Sequence, residues 1–183
     1  MTVHVLVEGE LDRLLLERLL SDLHGKARFK VQATRGRDAG RPLARKCLMI
    51  HGEPAAFVMD SDTRDERRVQ QQQQDLESYL AWGGHGVAFK VLQFVPEIEV
   101  IFFDDQRFLE RVLGRALQES VGIAGHAAPR EMLQSLCSSV GIDRRALIPT
   151  RLEAEDLARF RRHAAVSELR DFIAAFGVDN VAR

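Results

Sequence analysis

The sequence predicts an α/β fold, in which a parallel sheet is flanked by helices and followed by a helical extension. Short apolar runs rich in β-branched residues alternate with segments whose leucines recur at helical spacing. The resulting order, β-α-β-α-β-α-β, favours parallel strands joined by crossover helices on both faces. After Pro96 only helical patterns follow. We therefore expect an α/β core over residues 1–103 and an extension over residues 104–183 that packs on it.

Four apolar runs account for the predicted strands. The first two are Val3–Val7 and Phe29–Ala33, and the other two cover residues 55–59 and 87–95. Each run is short and bounded by turn-forming or polar residues, which is typical of buried strands in a parallel sheet.

Helical patterns fill the gaps between these strands. The first contains leucines at positions 11, 14, 15, 19 and 23 and ends at Gly25. Residues 34–40 form a predicted Gly/Arg-rich loop before a short helix over residues 42–50. A polar helix over residues 64–82 is closed by Gly83 and Gly84, its glutamine run at 70–74 facing solvent and Trp82 packing near its end. In the extension, helices are predicted near residues 108–117, 132–140, 152–160 and 166–176, with Thr150 and Glu153 as a capping box.

Composition indicates an ordinary globular protein. The 183 residues carry 26 basic and 27 acidic side chains, and 45% of them are hydrophobic. No apolar run approaches the ~20 residues of a membrane helix. The N-terminus lacks a basic region followed by an apolar stretch, and Cys47 and Cys137 form no zinc-binding motif. We expect a cytoplasmic protein with no membrane association.

The net charge of −1 conceals a strongly basic segment. Residues 26–46 contain eight basic side chains and a single acidic one, Asp38, for a net charge of +7. Arg35, Arg37 and Arg41 lie beside the end of the second strand, and Arg64 follows the third. These arginines are either phosphate-binding groups for a nucleic acid or parts of a solvated basic surface.

Carboxylates follow three of the four predicted strands. Glu8 comes after the first, Asp60 and Asp62 after the third, and Glu97 and Glu99 after the fourth. Ligands of open parallel sheets bind at the carboxyl ends of the strands, so we expect these side chains to converge there. Crowded carboxylates repel one another unless a cation such as Mg²⁺ neutralises them. The alternative is that each acidic residue caps the helix that follows it.

With these residues in place, the chain resembles the Toprim domain, a metal-dependent module of topoisomerases, primases and nucleases. An apolar strand ending in Glu8-Gly9, with Asp12 nearby, is similar to the first Toprim motif, and a strand ending in Asp60 and Asp62 is similar to the second. The segment from Glu97 to Phe103 looks like its counterpart in nucleases of the overcoming-lysogenization-defect (OLD) family. The resemblance covers roughly residues 3–103.

The resemblance implies a Toprim-like nuclease that hydrolyses phosphodiester bonds with one or two Mg²⁺ or Mn²⁺ ions. It implies Glu8, Asp60, Asp62 and Glu99 as catalytic metal ligands, with Glu97 as a second choice. Glu8 is either a ligand or the general base. Asp12 is expected to orient the first loop. Asp65 is expected to cap the following helix, with water-mediated metal binding as the alternative.

The same resemblance bears on partners. OLD-type systems combine a Toprim nuclease with an ABC-type ATPase, so an antiviral defence effector with an ATPase partner chain is one expectation. The extension then either docks this partner or completes the core and a homodimer. Topoisomerase and primase variants usually continue the second motif with Glu-Gly, whereas Thr63-Arg64 stands here.

Two other functions stay open. One is a non-catalytic Toprim module that binds nucleic acid or a partner protein. The other is a phosphatase of the haloacid-dehalogenase type, although its paired aspartates normally follow the first strand and it leaves Glu8 unexplained. The turn Glu8-Gly9-Glu10 would repel the pyrophosphate of a dinucleotide, and no P-loop motif is present.

Overall fold

The structure, a computed structural model, describes residues 1–82 and 86–177. Its centre is a four-stranded sheet of β1 (Val3–Val7), β2 (Phe29–Ala33), β3 (Ala55–Asp60) and β4 (Phe89–Phe94). All neighbouring strands are parallel, and their order is β2-β1-β3-β4. This confirms the predicted parallel α/β fold. It also makes β1, β3 and β4, whose ends carry the carboxylates, consecutive in the sheet.

Three helices connect these strands. They are α1 (Glu10–Leu19), α2 (Arg37–Lys46) and α3 (Glu66–Ala81). The predicted loop is confirmed only for residues 34–36, and the predicted helix start at residue 42 is wrong, because α2 begins at Arg37 and contains Pro42 in its interior. Gly36, at φ 106°, precedes the helix, and a π-helical turn over Cys47–His51 extends it. Gly83 and Gly84 lie outside the described residues.

Packing against β3 explains the early start of α2. Gly40 and Ala44 are buried on this helix, and a methyl group added at Gly40 would lie 2.4 Å from the ring of Phe57. A residue without a side chain therefore lets α2 approach β3 closely. The contact stabilises a helix that Gly40 and Pro42 disfavour by intrinsic propensity.

Seven helices make up the rest of the described chain. They are α4 (Ile101–Asp104), α5 (Arg107–Leu113), α6 (Glu119–Ala127), α7 (Pro129–Ser139), α8 (Arg144–Arg151), α9 (Ala154–Phe160) and α10 (Ala164–Ala174). The patterns of the sequence predict α5, α7, α9 and α10 but miss α4, α6 and α8. The predicted capping box is wrong: Thr150 lies inside α8, and Glu153 caps α9 together with Asp156.

Two apolar clusters cover the faces of the sheet. Val3, Val5 and Val7 pack with helices of the extension, whereas Leu6, Phe57 and Met59 pack with α2 and α3 on the opposite face. This alternation follows the two-residue period of a strand. Within the first cluster the rings of Phe102 and Phe108 stack, and Phe160 meets both edge-to-face, at centroid distances of 5.3–5.7 Å. The extension therefore shares a hydrophobic core with the sheet. No helix in the described part of the chain is long and apolar enough to cross a bilayer.

Candidate functional site

A cleft of about 470 Å³ opens at the carboxyl ends of β1 and β3. It gathers acidic side chains that are far apart in sequence, because the parallel order brings these strand ends to one edge. Four of the sequence-predicted acidic residues and Asp12 line it, whereas Glu97 does not. The acidic residues at the cleft are Glu8, Glu10, Asp12, Asp60, Asp62 and Glu99.

The turn after β1 holds Glu8 beside the start of α1. The backbone N–H of Gly9, which precedes the first residue of α1, donates to Asp12 Oδ2 at 2.8 Å. Asp12 satisfies one of the free N–H groups at the start of the helix. It thereby fixes the turn that presents the Glu8 side chain.

The turn after β3 places the two aspartates differently. Asp60 is the last residue of the strand, and its Oδ1 accepts the backbone N–H of Ile98 at 2.8 Å. Asp62 is exposed and adopts a left-handed conformation with φ 54°, which aspartate tolerates better than most residues. Ser61, between them, is fully buried. Gln72 of α3 donates to the Ser61 carbonyl at 3.1 Å, so the glutamine run is not only a solvated surface.

Glu99 reaches the cleft from a 3₁₀ turn, Ile98–Val100, that follows β4. Its side chain is only 2% exposed, and its Oε2 is buried without a hydrogen-bond partner. A buried carboxylate oxygen is costly unless a cation or a donor satisfies it. Glu97, two residues earlier, turns away and accepts the backbone N–H of Arg130 at 3.0 Å.

Arginines from the extension enter the carboxylate cluster, although they are not among the site residues predicted from the sequence. Arg130 Nη2 lies 2.6 Å from Asp60 Oδ2, and the same guanidinium lies 3.2 Å from Glu97 Oε1 and 3.5 Å from Glu99 Oε1. Arg144 Nη1 lies 2.7 Å from Glu99 Oε1. Residues beyond position 103 therefore contribute directly to the site.

Arg37, one of the predicted phosphate-binding residues, completes the set from the opposite side. Its Nε lies 3.2 Å from Glu8 Oε1, and its Nη2 lies 3.1 Å from Asp62 Oδ2. Arg37, Arg130 and Arg144 all lie in the first turn of their helices, α2, α7 and α8. Helix N-termini carry partial positive charge, so three helix ends and three guanidinium groups lie opposite the carboxylates of the cleft.

Burial and crowding raise the pKa values of several buried carboxyl groups in the cleft. Burial, reinforced by the nearby charges of Asp12 and Glu99, raises the pKa of Asp60 to about 8, although the Ile98 N–H and Arg130 oppose the shift. Burial also raises the pKa of Glu8, against the opposing effect of Arg37, and that of Glu99, against Arg130 and Arg144. The cluster therefore favours either an added proton or an added cation at neutral pH.

The donor set suits a hard divalent cation, since every candidate ligand is a carboxylate oxygen. The unpartnered Oε2 of Glu99 and the raised pKa values mark the same need for positive charge. As placed, however, no three His, Cys, Asp or Glu side chains within residues 1–82 and 86–177 converge as a metal-binding group. Arg130 and Arg37 hold the oxygens instead, so ion binding requires Asp60 and Glu8 to turn from these arginines.

The remaining predicted residues lie outside the cleft. Arg35 is exposed beside it with φ 63°, and Arg41 lies one turn further along α2 than Arg37. Arg64 lines a different groove together with Gln106. Asp65 caps α3: its Oδ1 accepts the backbone N–H groups of Arg67 and Arg68, the second and third residues of the helix, at 3.0 and 3.2 Å.

A larger cleft of about 560 Å³ lies elsewhere, among α4, α5 and α9. Of the three arginines that line it, Arg159 is paired with Asp105 at 3.1 Å and with Asp156. None of the described carboxylates that line this cleft has a buried oxygen without a partner, in contrast to Glu99 in the carboxylate cleft.

Comparisons with known proteins place the fold. Neither protein-family models nor curated proteins give a match to this chain. Among solved structures, the chain is similar to the C-terminal region of the Burkholderia pseudomallei OLD protein, with a TM-score of 0.57, 16% identity, and coverage of 93% of this chain and 98% of that chain. It is also similar to the C-terminal region of the Xanthomonas campestris pv. campestris OLD protein, with a TM-score of 0.50, 19% identity, and coverage of 94% and 95%. At these identities the likeness shows the fold alone.

Proposed function

We propose that this protein is a Toprim-type nuclease that hydrolyses phosphodiester bonds of nucleic acid with the help of Mg²⁺ or Mn²⁺. The observation that carries the proposal is the cleft in which carboxylates from three strand ends meet arginines from three helix starts. The fold shared with C-terminal regions of OLD proteins agrees with the resemblance of the sequence motifs to Toprim nucleases of that family.

In this proposal the acidic and basic sides of the cleft have different tasks. Glu8, Asp60, Asp62 and Glu99 would hold one or two ions, which when bound lower the pKa of a coordinated water and neutralise charge on the phosphate. Glu8, with its raised pKa, serves either as a ligand or as the base that accepts a proton from the attacking water.

Arg130, Arg144 and Arg37 then bind phosphate oxygens. A guanidinium group donates two parallel hydrogen bonds to a phosphate as readily as to a carboxylate. Each of these arginines now pairs with a candidate metal ligand. Turning from carboxylate to phosphate would release the ligand oxygens for the cation.

The test is cleavage of plasmid DNA and of structured RNA in Mg²⁺, Mn²⁺ or EDTA. We expect cleavage only with a divalent ion, and a loss of about 10²-fold or more in Glu8→Gln and in the double variant Asp60→Asn/Asp62→Asn. Asp75→Asn, an exposed carboxylate of α3 that pairs with Gln71, is the matched control and keeps full activity.

Calorimetric titration with Mn²⁺ gives a readout independent of turnover. Binding should weaken in the Asp60→Asn/Asp62→Asn variant and stay unchanged in Asp75→Asn. If Glu8→Gln and Asp60→Asn/Asp62→Asn both cleave as fast as the unmodified protein, the cleft is not the nuclease site.

A second candidate function rests on the ion pairs themselves. Because Arg37, Arg130 and Arg144 neutralise the carboxylates as placed, the same cleft suits a module that binds nucleic acid or an ATPase partner without cutting. Binding of nucleic acid in Mg²⁺ and in EDTA with no cleavage in either would favour this function over the first.

A further inference from the structure

A row of arginines runs along α2, away from the carboxylate cleft. Arg37, Arg41 and Arg45 recur every four residues, which places them on the same side of the helix. At 1.5 Å per residue the row spans about 12 Å. Its first member, Arg37, contacts Glu8 and Asp62 at the edge of the cleft. The row therefore leads from the cleft along the surface of the protein.

The far end of the row contacts two aromatic side chains, Tyr79 in the last turn of α3 and Trp82 just after the helix ends. The Arg45 guanidinium lies 4.9 Å from the ring centroid of Trp82 and 5.3 Å from that of Tyr79. Its Nε also lies 3.2 Å from the sulfur of Met49. Trp82 is 80% exposed, so the prediction that it packs into the protein is wrong.

The arginine charges of this surface beyond Arg37 lack carboxylate partners in the described part of the chain. Within the described residues, neither Arg41 nor Arg45 forms an ion pair with a carboxylate, in contrast to Arg37. α2 has one acidic residue, Asp38, against four basic ones. Single-stranded nucleic acid requires a cationic track for its phosphates and a ring on which an unstacked base can lie. Arginines without carboxylate partners, next to an exposed indole, provide both features.

We propose that α2 is the path of a single-stranded segment of the substrate, with phosphates on Arg41 and Arg45 and a base stacked on Trp82. The continuity of the row with the cleft favours a nucleic acid over an acidic protein. The inference rests on the proposed function in one respect, namely that the bound strand is cleaved at the cleft. Binding along α2 itself needs neither metal nor cleavage.

Trp82 is the single tryptophan of the chain, so its fluorescence reports on this surface directly. We would titrate the full chain in EDTA with a short oligothymidine and with an abasic strand of the same length. Stacking of thymine on the indole predicts saturable quenching with the first and much less with the second. Equal quenching by both strands, or none, overturns the proposal and leaves the surface to a protein partner.

Variants followed by fluorescence anisotropy of a labelled oligothymidine test the charges and the ring separately. Arg41→Ala/Arg45→Ala should weaken binding at least tenfold and flatten the dependence of log affinity on log salt by about 1.4, since each phosphate contact on a single strand contributes about 0.7. Trp82→Ala should weaken binding about 5- to 100-fold. A duplex of the same sequence should bind more weakly than the single strand.

The matched control is Arg28→Ala/Lys30→Ala, which removes two exposed charges of the same basic segment at β2. If the control and the Arg41/Arg45 variant lose affinity equally, the row has no specific role and the proposal fails. Cleavage assays separate this result from the proposed function. If only the α2 proposal is wrong, the unmodified protein still cleaves nucleic acid in Mg²⁺ but its Trp82 fluorescence does not respond to the bases. If only the nuclease proposal is wrong, oligothymidine quenches Trp82 but no cleavage is seen.

Discussion

Replacement of Arg130 by methionine tests how strongly the cleft depends on a residue of the extension. Arg130 pairs with Asp60 and Glu99, whose side chains are 7% and 2% exposed. Removal of one partner from a buried ion pair costs about 3–5 kcal/mol, because the other charge stays buried without compensation. Arg130 itself is 43% exposed, so water screens part of this interaction. We therefore expect Arg130→Met to lose about 2 kcal/mol of unfolding free energy near pH 9, where Asp60 of the unmodified protein is ionised.

The loss should depend on pH with a defined sign. Arg130 lowers the pKa of Asp60 and of Glu99, so its removal raises both values further above those of the unfolded chain. A carboxyl group with a raised folded-state pKa binds its proton more tightly in the folded state, and the unfolding free energy falls as pH rises between the two pKa values. The difference between variant and unmodified protein should therefore be small near pH 5 and larger near pH 9, above the pKa of about 8 at which Asp60 of the unmodified protein loses its proton.

The assay is urea denaturation followed by circular dichroism in EDTA at both pH values. Arg107→Met is the matched control, because Arg107 is 76% exposed and lies 3.6 Å from Asp105. An exposed pair of this kind contributes at most about 0.5 kcal/mol. Equal losses in the two variants, or a loss in Arg130→Met that does not change with pH, would refute the reasoning.

Two further predictions concern single positions. Because the pKa of Asp60 is raised to about 8, this group lowers the unfolding free energy by at most about 1.4 kcal/mol per pH unit between about pH 4 and pH 8. Asp60→Asn removes the carboxyl group, so this fall should flatten in denaturation measured in EDTA. Gly125→Ala places a methyl group 2.0 Å from the buried ring of Phe103 and should cost about 1–3 kcal/mol. Gly122→Ala on the same helix meets only the flexible amide of Gln106, and equal melting temperatures for both variants would contradict the predicted clash.

Strand positions were predictable from the sequence because buried parallel strands are continuous apolar runs. β1 and β2 have the predicted bounds, and the adjacency of β1, β3 and β4 brings Glu8, Asp60 and Asp62 together. The start of α2 was not predictable from local rules. Gly40 counts against a helix in isolation, but its missing side chain is what allows the contact with Phe57.

The basic half of the cleft was harder to foresee, because Arg130 and Arg144 lie 70 and 45 residues after the carboxylates they contact. Spacing along the chain carries no information about such contacts. One local signal does exist. Acidic residues are favoured in the first turn of a helix and basic ones are disfavoured, yet Arg37, Arg130 and Arg144 all occupy that place.

Each of these arginines opposes the dipole of its own helix, and an anion at the helix end offsets that cost. The carboxylates of Glu8, Asp60 and Glu99 supply the anion as the side chains are placed, and in the proposed function a phosphate group takes over the same role. Aspartate or lysine at position 130 would test this. Aspartate suits the helix but repels Asp60, whereas lysine keeps the charge but loses the forked contact to three carboxylates. The arginines at these three positions are therefore explained by their contacts in the cleft and not by the stability of the helices that carry them.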